Sequence, residues 1–236
     1  MSAVGNLPSL HDQAERLIAL GVPELADITA EELRAAGTVD CPDALLVIHP
    51  DRARASTLAP LLRRGDRDGF VVVDMTDVDE FTPIPGAAVP TGGVYLLGGV
   101  DRGDHLAGWS PDEALPAIVA EGRTPLTVGE GIQWVLQQPT ALERNRCFMT
   151  IGSRRRKGET RLDSRTPAIW ISNGTGRDGA AHRGAPKVGW CWARNRHSWL
   201  GFASATQRSV LPTLGAAQGV AAQPLSAAAS VTATDQ

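Results

Sequence analysis

Apolar and polar residues alternate with two different periods along the first 140 residues. After Ser9, the residues Leu10, Ala14 and Leu17 recur at helical spacing, which predicts an amphipathic helix with a serine N-cap. Side chains of the same capping type predict further helix starts at Thr29, Ser56 or Thr57, Ser110 and Thr127. Short apolar runs between these starts predict buried strands over residues 44–49, 70–75 and 94–97. The pattern therefore predicts an N-terminal layer of helices and strands.

Beyond residue 140 the pattern becomes strand-like only. Four runs rich in β-branched, aromatic and small apolar residues predict antiparallel strands over residues 147–151, 168–172, 188–193 and 199–204. The last two runs flank a short polar segment, so we expect them to form a β-hairpin. Val188, Trp190 and Trp192 share one face of its first strand, which we expect to close the C-terminal core. Replacing Trp190 with alanine should then cost several kcal/mol.

Together these elements predict an α+β fold: an N-terminal helix/strand layer packed with a four-stranded antiparallel C-terminal sheet. We expect a single domain over residues 1–209, with an acidic part over 1–140 and a basic sheet over 141–209. Residues 210–236 carry few bulky apolar side chains, so we expect a disordered C-terminal tail. The alternative of two separable domains divided near Pro139 stays open.

The cellular location can also be inferred from the sequence. It contains no apolar run of about 18 residues, so we expect no membrane span. The first six residues lack the basic and apolar regions of a secretory signal. Cys41, Cys147 and Cys191 are too widely spaced to indicate a disulfide framework, which favours a reducing cytoplasm.

Charge is divided unevenly along the chain. Residues 1–140 hold 9 Lys/Arg and 21 Asp/Glu, a net charge of −12, whereas residues 141–209 hold 14 and 4, a net charge of +10. Such a division indicates either a surface for a polyanion or two halves that neutralise each other on packing. Within the acidic half, Asp74, Asp77, Asp79 and Glu80 follow a strand, and we expect a solvated loop that caps the next segment rather than a cation site.

Basic and polar residues of the second half provide the candidate site. Arg194, Asn195 and His197 cluster in the polar segment before the last strand. With Arg154 and Lys187 they form our candidate set for an anionic ligand, either a nucleotide or a nucleic acid whose bases stack on exposed tryptophans. We therefore expect a binding or regulatory protein. The alternative is an enzyme acting on a small anionic metabolite, with His197 as acid or base and Arg194 as the anion clamp.

Other chemistries fit the spacing less well. Cys147, His182, Cys191 and His197 are of zinc-ligand type but lack the close pairing of zinc sites, so we expect no metal and no cofactor. Cys191 lies between two tryptophans, where a small apolar filler is expected rather than a nucleophile. The glycine-rich segment 173–179 matches no phosphate-binding motif and is expected to be a flexible loop.

Six short strings stand out toward the C-terminal end: GRTPLT (122–127), EGI (130–132), CFM (147–149), GSR (152–154), PAIWIS (167–172) and PKVGWCW (186–192). Through them, most of the chain to about Arg208 resembles an actinobacterial family of uncharacterised proteins, known only as a domain of unknown function. The resemblance implies a bacterial cytoplasmic protein without an assigned activity, substrate or cofactor. The loops over residues 154–166 and 173–185 are longer than expected for that family, so a site built there would not be a family property.

Overall fold

The computed structural model describes residues 6–159 and 161–211, and it begins four of its helices at predicted capping residues. Ser9, Thr29, Ser110 and Thr127 are these N-caps. The helix expected from Ser56 or Thr57 begins at Ala55 instead. The α-helices of the described residues are α1 (Leu10–Ala19), α2 (Val22–Ala26), α3 (Ala30–Gly37), α4 (Ala55–Leu58), α5 (Pro111–Ala120) and α6 (Val128–Gln137). None of them has the length and apolar character needed to cross a membrane.

Most strands in the described part of the chain are only two or three residues long. They are β1 (Ala44–Ile48), β2 (Arg63–Arg64), β3 (Arg67–Asp68), β4 (Phe70–Val71), β5 (Thr82–Pro83), β6 (Val94–Gly98), β7 (Thr124–Pro125), β8 (Cys147–Met149), β9 (Ser153–Arg154), β10 (Arg156–Lys157), β11 (Arg161–Leu162), β12 (Arg165–Ile171), β13 (Pro186–Trp192), β14 (Leu200–Phe202), β15 (Ser204–Ala205) and β16 (Gln207–Val210).

The largest sheet has five strands in the order β14-β8-β12-β13-β4. β12 pairs antiparallel with β8 on one side and with β13 on the other. The two edge strands run parallel to their neighbours, β14 to β8 and β4 to β13. The fold is therefore mixed α+β, as predicted, but its C-terminal sheet has five strands of mixed direction instead of four antiparallel ones.

The predicted hairpin between residues 188–193 and 199–204 is wrong, because β12 and β8 separate β13 from β14. The segment between β13 and β14 instead bonds to the start of α5 and the loop before it. There the N–H groups of Gly108 and Asp112 donate to the carbonyls of His197 and Ala193, at 2.9 and 3.1 Å. These long-range bonds hold the segment in addition to a local turn, in which the N–H of Asn195 donates to the carbonyl of Trp192 at 3.0 Å. Trp192, expected in the core, is consequently 46% exposed.

A second sheet has three antiparallel strands in the order β1-β6-β16. The outer edge of β1 is covered by the buried side chains of Gln13, Gln133 and Gln137. Their amides exchange hydrogen bonds with the backbone of β1 at Ala44, Leu46 and Ile48. Because a buried strand edge must have its polar groups satisfied, the three glutamines take the place of a neighbouring strand.

Helix α6 lies between the two sheets and is buried at all ten of its positions. At Gly131 an added Cβ would lie 2.5 Å from Cγ2 of Thr150, so only glycine allows this close approach to the large sheet. The Trp134 ring packs on Phe148 with centroids 5.0 Å apart. Buried apolar residues from both halves of the chain form one contiguous cluster around this helix.

Two predictions about domain organisation fall at or beyond the limits of the structure. Apart from Val210 and Leu211, the predicted tail over 210–236 lies outside the described residues. Val210 is the last residue of β16, so regular structure extends one residue past the expected domain end at 209. The single-domain interpretation, like its alternative with a division near Pro139, stays a prediction.

Candidate functional site

The four basic side chains of residues 154–157 point alternately to two sides of the extended chain and so lie in two different environments. Successive side chains of an extended chain point to opposite sides. Arg155 and Lys157 approach the Asp163 carboxylate, at 3.6 and 3.4 Å. Arg154 and Arg156 line a cavity on the other side. One run of four cations therefore supplies both an ion-pair network and a separate basic cleft.

The ion-pair network is centred on Arg165. Its Nη2 lies 2.8 Å from Asp163 and 2.5 Å from Asp77, while Phe81 and Trp190 flank the guanidinium with ring centroids 5.3 and 5.9 Å away. Burial raises the pKa of Asp163, but the hydrogen bonds from Arg165 outweigh burial and hold this pKa well below its usual range. The hydrogen bonds from Arg165 likewise lower the pKa of Asp77. The network therefore favours both carboxylates in their ionised form.

Acid is expected to weaken the fold through this network. Asp163 and Asp77 have lower pKa values when folded than the value of about 3.9 in an unfolded chain. Their contribution to stability is thus fully present above about pH 5 and is lost as the pH falls through the unfolded and then the folded pKa values. Urea unfolding should show a free energy of unfolding that declines from about pH 5 to about pH 2. Asp163→Asn should have a shallower decline, and identical slopes would contradict this assignment.

The cavity beside this network, which we call the arginine cleft, has a volume of about 370 Å³. It lies where the β5–β9 pair, the β10–β11 pair and α5 meet. Its lining residues are Thr82, Pro83, Ile84, Pro85, Leu115, Arg154, Arg156, Arg161 and Leu162. Three arginines thus line one concavity whose lining contains no carboxylate.

The three arginines of the cleft have few partners among the described residues. Arg154 donates from Nη2 to the carbonyl of Asp163 at 2.8 Å, but its shielded Nε has no hydrogen-bond partner there. Burial lowers the pKa of Arg154, although arginine stays charged at any ordinary pH. Arg156 makes one long bond of 3.4 Å to the carbonyl of Glu159, and no side-chain bond is formed by Arg161 within residues 6–159 and 161–211. The charges of Asp112 and Asp163 raise the pKa of Arg154 and so offset part of the burial effect. No carboxylate lines the cleft itself, so its lining is positively charged.

Of the five candidate residues from the sequence, Arg154 lines the cleft and the others lie elsewhere. Lys187 is paired with Asp178 at 2.8 Å and lies over the Trp170 ring. Arg194 and Asn195 are exposed, and the Arg194 guanidinium lies 3.8 Å from Asp112. His197 is half-buried; burial lowers its pKa, and its Nε2 has no partner among the described residues.

The candidate residues are too far apart to share one small ligand. Lys187 stands at the start of β13 and Arg194 follows its end. The six residues of strand from Lys187 to Trp192 alone span about 17 Å. Neither Arg194 nor His197 lines any of five well-formed cavities in the described part of the chain, which have volumes of about 140 to 370 Å³. Among the candidates, Arg154 lines the arginine cleft, whereas Lys187 lines a separate cavity of about 180 Å³ in which Asp178 pairs with it.

The acidic run of the first half does not gather at one point. Asp74 pairs with Arg177, Asp77 with Arg165 and Glu80 with Arg155. Asp79 accepts hydrogen bonds from the backbone and side chain of Ser56, at 2.9 and 2.5 Å, at the start of α4. At Asp79 the run therefore caps α4, which precedes it in the chain, and not the next segment as predicted.

Cys147 is buried and Cys191 is half-buried, and neither has the properties of a nucleophile. Burial raises the pKa of Cys147 and of Cys191 to about 11, so both carry a proton at neutral pH. A nucleophilic cysteine needs the opposite shift. Within residues 6–159 and 161–211, no three or more His, Cys, Asp and Glu side chains form a group that could hold a metal ion.

The candidate set from the sequence did not include Arg156, Arg161 and Leu115, which also line the cleft. The alternation within residues 154–157 was a usable signal, because it places Arg154 and Arg156 on one face. Gly158, which has a φ of 73°, marks the turn that brings β11 and Arg161 back beside β10. Leu115 comes from α5 through long-range packing, for which the local sequence holds no signal.

Comparison with known proteins gives a family but no activity. No curated protein and no solved structure matches the chain. A family model described as a family of unknown function, DUF5701, matches residues 16–211, which include every residue of the arginine cleft and of the ion-pair network. The chain therefore belongs to DUF5701, a family of unknown function.

Proposed function

We propose that this chain is a non-catalytic binding protein whose arginine cleft holds an anionic ligand. The observation that carries the proposal is the position of Arg154, a partly buried arginine that lines a cleft whose lining contains no carboxylate. Carboxylates and phosphates are the groups that satisfy such donors best, through charge-assisted and often bidentate bonds. Arg156 and Arg161 add two further charges in the same concavity.

Charge pairing elsewhere supports a local site over a broad basic surface. Much of the basic half is paired with the acidic half, in Arg155–Glu80, Arg165–Asp77, Arg177–Asp74, Arg194–Asp112, Arg196–Glu113 and Arg208–Glu130. These pairs favour the interpretation in which the two halves neutralise each other on packing. A nucleic acid would need a continuous stripe of free cations. A small anion needs only the three arginines of the cleft.

The alternative, an enzyme with His197 as acid or base and Arg194 as the anion clamp, has weaker support. A catalytic pair of this kind works in a concave site that holds the substrate. Arg194 is exposed beside Asp112, and neither residue lines any of the five cavities described above. The actinobacterial origin and the cytoplasmic location stay predictions from the sequence.

Arg161→Ala is expected to weaken the binding of inorganic pyrophosphate about tenfold or more, because one hydrogen bond to a charged group contributes about 1.5–3 kcal/mol. Isothermal titration calorimetry at low salt measures the affinity, which should fall as salt is added. Arg183→Ala is the matched control, since Arg183 is exposed and makes no side-chain ion pair in the described part of the chain. It should leave pyrophosphate binding unchanged.

Two results would contradict the proposal. One is the absence of pyrophosphate binding to the unmodified protein at low salt. The other is an equal loss of affinity in Arg161→Ala and Arg183→Ala, since the charge of the whole molecule and not the cleft would then determine binding. Tight binding of a mixed oligonucleotide that both variants weaken equally would favour a polyanion surface instead.

A further inference from the structure

The lining of the arginine cleft is divided into a charged part and an apolar part. The charged part is the three arginines of β9, β10 and β11. Apart from Thr82, the other lining residues are apolar: Pro83, Ile84, Pro85, Leu115 and Leu162. Five apolar side chains do not help to bind a fully hydrated anion, because apolar groups stabilise a complex only when binding removes them from water. The lining therefore points to a ligand with both characters.

The apolar part continues beyond the cleft. Leu162 is 48% exposed and lies directly opposite Arg156 in the β10–β11 pair, so both side chains are on the same face. Val119, which is 57% exposed, follows Leu115 by one turn of α5 and lies next to it on the helix surface. Exposed apolar residues that adjoin one another commonly mark a binding site, whereas isolated ones are ordinary. This strip gives a chain entering the cleft apolar surface to cover.

The lack of aromatic residues in the cleft lining favours an aliphatic ligand over a nucleotide. Nucleobases are held mainly by stacking on aromatic rings. None of the residues lining the cleft is aromatic. Trp170 and Trp199 instead line another cavity, of about 140 Å³. The arginine stems, by contrast, offer further methylene groups against which an alkyl chain packs.

We infer that the ligand of the arginine cleft is a monomeric amphipathic anion, a carboxylate or phosphate head on a medium-length alkyl chain. This inference rests on the proposed function, because it assigns the anionic head to Arg154, Arg156 and Arg161. The chain lies along Ile84, Leu115 and Leu162. A cavity of about 370 Å³ has room for about a dozen groups the size of a water molecule, taking about 30 Å³ for each. That room suits a chain of roughly eight carbons with its head group.

Three probes test the inference on the unmodified protein: octyl phosphate below its micellar concentration, inorganic phosphate and octanol. Each buried methylene group is worth roughly fourfold in affinity, so about four of them should make octyl phosphate bind on the order of 100-fold more tightly than phosphate. Octanol, which lacks the charge, should bind much more weakly than octyl phosphate. Calorimetry measures all three affinities in one buffer.

Two variants separate the apolar part from the charged part. Leu162→Ser should weaken the binding of octyl phosphate several-fold and leave the affinity for inorganic phosphate unchanged, because it removes only contacts with the alkyl chain. Leu25→Ser is its matched control, since Leu25 is 44% exposed on α2 and does not line the cleft. Arg161→Ala should weaken both phosphates. Circular dichroism and thermal unfolding of each variant confirm that it is folded.

The outcomes distinguish this inference from the proposed function. Equal affinity for phosphate and octyl phosphate, with both weakened by Arg161→Ala, would contradict the inference of an alkyl chain but still support anion binding by the cleft. If neither phosphate binds, or if octanol binds as tightly as octyl phosphate, both the inference and the proposed function are contradicted. Binding to phosphatidylglycerol vesicles without binding to monomeric octyl phosphate would replace the inference with a membrane surface. Specific binding of octyl phosphate that depends on Leu162 and on Arg161 supports it.

Discussion

Replacing Arg208 with alanine is expected to lower the free energy of unfolding by about 3–5 kcal/mol. Arg208 lies on β16, and its Nε and Nη2 donate to the two carboxylate oxygens of Glu130 on α6, at 2.6 and 2.8 Å. The Glu130 side chain is fully buried. Without Arg208, this carboxylate would keep only the hydroxyl of Tyr95 and the backbone N–H of Thr127 as donors. An uncompensated charge in an apolar interior is among the most costly defects a substitution can create.

Urea unfolding measures this loss, and two further variants test its cause. Glu130→Gln in the Arg208→Ala background should recover part of the stability, because it removes the unpaired charge while glutamine can still complete the capping box with Thr127. Arg194→Ala should cost about 0–1 kcal/mol, since Arg194 is exposed and lies 3.8 Å from Asp112. A cost for Arg208→Ala as small as that for Arg194→Ala would show that the pair with Glu130 contributes little.

The strand that carries Arg208 also shows a limit of sequence analysis. β16 has the sequence QRSV, with no buried residue among its four, and it is an edge strand beside β6. Hydrophobic patterning detects a strand by its buried face, so this strand gives no such signal. It is held by pairing with β6 and by the ion pair of Arg208. Both are long-range interactions.

The features that could be predicted are those encoded by neighbouring residues. The N-caps Ser9, Thr29, Ser110 and Thr127 act within one helical turn, and the structure confirms each of them. The long strands β1, β6, β12 and β13 coincide with apolar runs of the sequence. Pairing order was not predictable in this way. Two antiparallel strands that follow one another in the chain suggest a hairpin, but the sequence does not encode which strands come between them.

The candidate site was likewise predictable only where neighbouring residues encode it. Arg154 was recognisable as a basic residue at a strand end. Its role in binding a ligand depends on Arg161 and Leu115, which long-range packing brings to the same cavity. Lys187 looked equally free in the sequence. In the structure it is paired with Asp178, nine residues earlier in the chain. Whether a cation is free or paired is thus decided by tertiary contacts that composition does not record.

Trp134→Ala is expected to cost about 3–5 kcal/mol, the usual range for removing a fully buried aromatic side chain. Trp134 is 1% exposed at the centre of α6, where it packs on Phe148 and donates from Nε1 to Gln138 at 2.9 Å. The cavity left by alanine would lie between the two sheets, with rigid neighbours on both sides. Such a site relaxes little, so the cost should be near the upper end of the range.

Trp190→Ala, for which the sequence alone predicts a comparable loss, should now cost less. Trp190 is only half-buried, and its ring contacts Trp192, which is exposed, and the guanidinium of Arg165. Water can enter the space left by alanine at such a site, so little empty cavity forms. Urea unfolding of Trp134→Ala and Trp190→Ala under the same conditions gives the comparison. If Trp190→Ala proves the more damaging, the centre of stability lies in the large sheet and not in the helix between the two sheets.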